Sequence, residues 1–184
     1  MYIETKMRTG DWWGNGEPIH ISAVRGKENV QLGKIKHVLF SNIICKGENG
    51  MLVYGSDESI IEDLSFDHIR FTLTDSKLND LAGGNIDLRG ALRPKDQLFS
   101  REIPGLLARY VKGMRINDFQ LQWQDTRMPY FTHGIELHHF NDVKIFNFEG
   151  SSSPINKGAY RIYATDGKNF ASDNKEKLLS KNVQ

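Results

Sequence analysis

Three histidines close together, His133, His138 and His139, are the first residues whose type suggests chemistry. Adjacent residues of a strand project to opposite faces, so His138 and His139 do not converge on one ion, and no metal site is assigned. Trp12 and Trp13 sit on a stretch rich in turn residues, with Gly10, Asp11, Gly14, Asn15 and Gly16. Indole faces there can stack on sugar rings while Asn15, Glu17 and His20 supply polar groups; packing over the fold is the alternative role. Tyr54 leads into Gly55–Ser59, a short loop carrying Asp57 and Glu58, which is either a site or a solvated acidic turn. A longer excursion, Asn85 to Arg101, holds Arg89, Arg93, Lys95 and Arg101, cations suited to carboxylates or to a plain charged loop.

These residues need a scaffold, and the scaffold is legible as a repeat. Four segments place apolar residues at relative positions 0, 3, 5 and 8: Ile35, Val38, Phe40, Ile43; Ile61, Leu64, Phe66, Ile69; Val111, Met114, Ile116, Phe119; and Phe140, Val143, Ile145, Phe148. A polar residue, Asn42, His68, Asp118 or Asn147, precedes the last anchor each time. The starts lie 26, 50 and 29 residues apart, which fits a coil of about 25 to 30 residues with one of double length. A step of two keeps side chains on one face of a strand, and steps of three on either side require a bend. A helix would need apolar residues at 0, 3, 4 and 7 instead. The carboxylates Glu62, Asp63, Glu136 and Asp142 fall between anchors, where outward, solvated positions are expected.

A glycine opens a short strand upstream of three of these segments, in Gly50-Met51-Leu52-Val53, Gly105-Leu106-Leu107-Ala108 and Gly134-Ile135-Glu136-Leu137. Gly16 to Ile21 reads as an earlier copy. Each coil leaves an apolar face uncovered, and stacking the coils makes one continuous core. An antiparallel sandwich also has short, regularly spaced strands, but it needs no common register across four segments.

The chain of 184 residues carries 24 basic and 23 acidic side chains, net +1, so no charge asymmetry points to nucleic acid. Its single cysteine, Cys45, lies in an apolar strand pattern and is expected to be a buried, inert thiol. No apolar run reaches the length of a membrane span, and the first residues lack a signal-peptide pattern. The compartment stays open.

The segment Glu4 to Ile19, with Thr9-Gly10-Asp11-Trp12-Trp13-Gly14-Asn15-Gly16-Glu17-Pro18, resembles bacterial proteins similar to family 28 glycoside hydrolases, the polygalacturonase group. Gly47-Glu48-Asn49-Gly50 and Asn85-Ile86-Asp87-Leu88-Arg89 resemble the same subgroup. The resemblance implies a right-handed parallel β-helix, a pectin lyase-like solenoid that hydrolyses glycosidic bonds of pectin-type polysaccharide. It implies three catalytic aspartates in Asn-Thr-Asp and Asp-Asp motifs, followed by Gly-His-Gly and Arg-Ile-Lys. None of these motifs except fragments occurs here. Thr132-His133-Gly134 and Ala164-Thr165-Asp166-Gly167 stand in the wrong order, and Arg115-Ile116-Asn117 lies inside an anchor set.

The resulting expectation is all-β, a right-handed, single-stranded parallel β-helix of about five coils, residues 1–172, with a polar C-terminal tail, 173–184. The chain reads as the C-terminal β-helix part of a polygalacturonase-like hydrolase, beginning downstream of the active-site coils and inactive alone. A non-catalytic carbohydrate-binding or purely structural β-helix module is the alternative. Trp12, Trp13, Asn15, Glu17, His20, Tyr54, Asp57 and Arg89 are the substrate-binding candidates for a plant cell-wall oligosaccharide. No catalytic residue, metal or cofactor is assigned, and the partners expected are carbohydrate and a second copy at the open end of the stack, with neither nucleic acid nor membrane.

Overall fold

The computed structural model describes residues 1–9, 14–78, 86–99, 102–173 and 178–183. Among them are nine strands, no α-helix, and one 3-10 turn at Pro94–Asp96. The strands are β1 (Tyr2–Thr5), β2 (His20–Ser22), β3 (Lys36–Gly47), β4 (Met51–Tyr54), β5 (Ile61–Thr74), β6 (Leu106–Gln124), β7 (Ile135–Glu149), β8 (Ile162–Ser172) and β9 (Leu178–Val183). All pairings are parallel, in the order β1-β3-β5-β6-β7-β8-β9, with β2 on β4 and β4 on β6. The result is a parallel sheet curled into a half-barrel around one apolar core.

The four repeats lie in register. Phe40 pairs with Phe66, Phe66 with Ile116, and Ile116 with Ile145; Ile43, Ile69, Phe119 and Phe148 form a second row. The steps of three have a backbone cause. Asn42, His68, Asp118 and Asn147 all have φ between 50° and 55°, the left-handed region that Asn, Asp and His enter most readily among residues with a side chain. His37, Asp63, Gly113, Asp142 and Asn169 make a second column of left-handed corners, and Tyr110, His139 and Asp166 a third. One such residue turns the strand direction and shifts the inward pattern by one position, and the repetition of these corners curls the sheet.

The third column also accounts for the variable loop. Met51–Tyr54 pairs with Leu106–Arg109, and Ile61 pairs with Val111, so the loop Gly55–Ile60 replaces the single corner residue Tyr110. The recurrent glycines answer a different need. A Cβ on Gly50 would lie 2.0 Å from the Pro104 carbonyl oxygen, one on Gly105 would lie 2.7 Å from the Gly134 carbonyl oxygen, and one on Gly134 would lie 2.6 Å from the Arg161 carbonyl oxygen. The chain just ahead of successive strands touches there backbone to backbone, which excludes any side chain.

Ile61, Leu64, Phe66, Met114, Ile116, Val143 and Ile145 are buried as the register requires. Ile35, Val38 and Phe40 depart from expectation and are only partly buried. The reason is the short β1, which covers β3 only from Ile44 to Gly47. Cys45 is buried, and burial pushes its thiol up to about 12. Leu178–Val183, inside the segment read as a tail, pairs with β8 from Ile162↔Leu178 to Gly167↔Val183, so the ladder continues past Ser172.

Candidate carbohydrate-binding face

The leading ladder, formed by β2, β4 and the first residues of β6, β7 and β8, sends alternate side chains into the core and outward. Two rows face the core: Met51, Leu106, Ile135 and Ile162; and Ile21, Val53, Ala108, Leu137 and Ala164. Two rows lie outward: His20, Leu52, Leu107, Glu136 and Tyr163; and Ser22, Tyr54, Arg109, His138 and Thr165. The segment 86–99 covers the middle of this face. Ile86, Leu88 and Ala91 bury Leu52, Tyr54 and Leu107 beside Val24.

At the β7–β8 end the face is polar and aromatic. Glu136 is buried, with Oε1 2.6 Å from His138 Nε2, while His138 Nδ1 lies 2.8 Å from Thr165 Oγ1. A carboxylate accepts, so Nε2 donates to Glu136, and Nδ1 and the Thr165 hydroxyl share the second hydrogen bond. His133 stacks on Tyr163 at 4.7 Å, Tyr160 lies 6.1 Å from Tyr163, and His138 5.9 Å. Glu136 was expected outward and solvated. It does point outward, but neighbouring side chains bury it. Glu62, Asp63 and Asp142 are less enclosed and pair with Lys36, His37 and Arg115.

At the β2 end, three of the expected residues meet. Glu17 Oε2 accepts from the Asn15 backbone N–H at 2.7 Å and lies 3.5 Å from His20 Nδ1, and Asn49 Nδ2 reaches Glu17 Oε1 at 3.3 Å. Gly14 backs onto this group and donates to the Asp87 carbonyl. Arg89 is engaged by Asp87 at 2.7 Å and its guanidinium lies 3.8 Å from the centre of the Phe99 ring. Trp12 and Trp13 lie outside the described residues.

Tyr54 and Asp57 belong to a separate ion-pair network. Tyr54 is buried and accepts a hydrogen bond from Arg109, whose guanidinium also sits over the Tyr54 and Tyr110 rings. Asp57 pairs with Lys95 and Arg93, which hold its carboxyl down at about 2. Glu58 pairs with Arg25 and Arg93, and the buried Asp96 also pairs with Arg93. This network clamps the loop after β4 to the segment 86–99.

The three histidines His133, His138 and His139 go to different partners: His133 to Tyr163, His138 to Glu136, and His139 onto Tyr110 at 4.8 Å. His139 is itself a left-handed corner, so regular strand alternation was the wrong premise there. Among the described residues, Asp67, His68 and Asp118 are the grouping that could hold a cation, with ligand atoms within 4.8 Å of one another. In sequence they are too far apart to be read together; the ladder brings β5 and β6 side by side.

No protein-family model, no curated protein and no solved structure matches this chain.

The acid–base chemistry of glycoside cleavage needs a protonated carboxyl and a carboxylate roughly 5 to 10 Å apart. Asp57, Glu62, Asp67 and Asp142 all have their carboxyls held below the usual range, by Lys95, Lys36, Asn117 and Arg115 foremost, which is opposite to the need of a leaving-group acid. His20 and Glu136 share one row but stand three strands apart along it, about 14 Å, so the Glu17 and Glu136 ends of the face do not flank one bond.

Proposed function

We propose that the curled sheet is part of a right-handed, single-stranded parallel β-helix of about five coils, and that the chain is the C-terminal β-helix part of a polygalacturonase-like glycoside hydrolase. In this reading the outer face of the leading ladder binds an acidic, pectin-type oligosaccharide and the chain alone does not cleave it. The observation that carries the reading is the aromatic and polar group at the β7–β8 end. Tyr160, Tyr163 and His133 are partly exposed flat rings, and His138 and Arg109 stand beside them in one outward row. Sugar rings stack on aromatic faces, and guanidinium and imidazole groups suit uronate carboxylates.

The apolar cover over Leu52 and Leu107 favours a second reading, a purely structural module whose ladder face is sealed. One experiment separates the two. Tetragalacturonate is titrated calorimetrically into the chain, beside a reducing-end assay, with Tyr163→Ala, Arg109→Ala and the double change Trp12→Ala/Trp13→Ala as variants. The expected result is binding without turnover, weakened at least about tenfold by Tyr163→Ala and also lost with the tryptophans. No binding supports the structural module. Turnover well above background overturns the inactive assignment.

A further inference from the structure

A second groove runs along the stack on a different face, at the corner where each long strand turns into its last segment. Its cavity is about 420 Å³. One wall is the column of left-handed corner residues Asn42, His68, Asp118 and Asn147. The other is Ile44, Arg70, Gln120 and Glu149, which are direct neighbours across β3, β5, β6 and β7. Tyr2 continues that second column on β1, paired with Ile44.

The corner column has a backbone explanation in its left-handed φ, but the second column does not. Arg70 and Glu149 are exposed and, among the described residues, neither has an ion-pair partner; Gln120 holds them two strands apart. Tyr2 and Ile44 are 61% and 51% exposed, an apolar pair left open at the end of a polar groove.

We infer that this groove is a binding site for a neutral oligosaccharide lying along the stack, across the strands. Four strands span about 14 Å, room for about three sugar residues at roughly one per interstrand step. The ring face of the terminal sugar packs on Tyr2 and Ile44, because pyranose rings have an apolar face suited to such surfaces. Arg70, Gln120 and Glu149 are planar groups with several donors or acceptors each, which match paired hydroxyls. The charges select against charged chains. Asp118 and Glu149 oppose a polyuronate in one half, and Arg70 opposes a cationic glycan in the other. The ligand class thus differs from that proposed for the leading ladder, and the inference stands apart from that reading.

The test is amide NMR on the full chain titrated with galactotetraose, xylotetraose and cellotetraose, and separately with tetragalacturonate. The expected result is that at least one neutral tetrasaccharide shifts the signals of Ile44, Arg70, Gln120 and Glu149, and tetragalacturonate does not. Arg70→Ala/Gln120→Ala and Tyr2→Ala should each weaken that binding about tenfold or more, with unchanged circular dichroism and melting. These side chains are at the surface, so the variants report on the groove and not on folding. Perturbation by none of the neutral sugars, perturbation confined to the leading ladder, or tighter groove binding of tetragalacturonate would each overturn the inference.

Discussion

Phe40 stacks on Phe66 across the parallel ladder, ring centroids 5.3 Å apart, yet Phe66 is fully buried and Phe40 is not. The difference comes from position in the stack, since Phe66 has a strand on either side and Phe40 faces the end that β1 leaves uncovered. Replacing Phe66 by alanine removes a ring from the middle of the core and should cost about 3 to 5 kcal/mol. Phe40→Ala should cost clearly less. Urea unfolding of the two variants measures this directly, and equal losses would mean that the β3 edge is covered in solution.

The corners make a separate prediction. Gly113 has φ of +70°, and a Cβ there would meet only ordinary contacts, the nearest the Asp63 backbone at 3.7 Å. Backbone conformation is therefore the sole restriction. Gly113→Asn should be close to neutral, as Asn tolerates the left-handed region. Gly113→Val should lose about 1 to 2 kcal/mol in the same unfolding assay. Similar stability of the two variants would remove the corner as the cause of the bend.

The Asp57 clamp sets a pH dependence. Lys95 and Arg93 lower its carboxyl from 3.8 to about 2 in the folded chain. A depressed carboxylate adds stability above the unfolded value and loses it as pH falls through the folded one. The stability gap between the wild type and Asp57→Asn should thus be full above pH 4 and shrink as the pH drops toward 2. Urea midpoints across that window supply the test, and a gap that persists at pH 2 contradicts the clamp.

Glu136 and His138 distinguish packing from recognition. Leu107 precedes Glu136 in the outward row and His138 is partly exposed, so water can take over its Nε2 and Glu136→Leu should be nearly neutral. His138→Ala removes the 2.6 Å partner of a buried carboxylate and should cost about 1 to 3 kcal/mol. If Glu136→Leu keeps its melting temperature but loses tetragalacturonate binding, the pair serves the ligand; if binding is unchanged, the pair belongs to the scaffold.

The sequence by itself determined the ladder. Anchors at 0, 3, 5 and 8 carry the inward face, and Asn42, His68, Asp118 and Asn147 mark the turns, because strand alternation and left-handed tolerance are local properties of a few residues. Gly50, Gly105 and Gly134 were legible as a repeat, although the backbone contact that requires them appears only once the parallel strands lie side by side. Asn15, Glu17 and His20 were legible as neighbours because they are close in the chain. Tertiary structure alone decided the rest. Glu136 faces outward as its position dictates, but its burial depends on side chains brought by β6 and β8, and the partners of Asp57 come from 36 and 38 residues away. The corner groove takes two residues from each of four strands, so no local window contains it. Local pattern specifies which way a side chain points, whereas burial and pairing depend on what the stacked chain places opposite it.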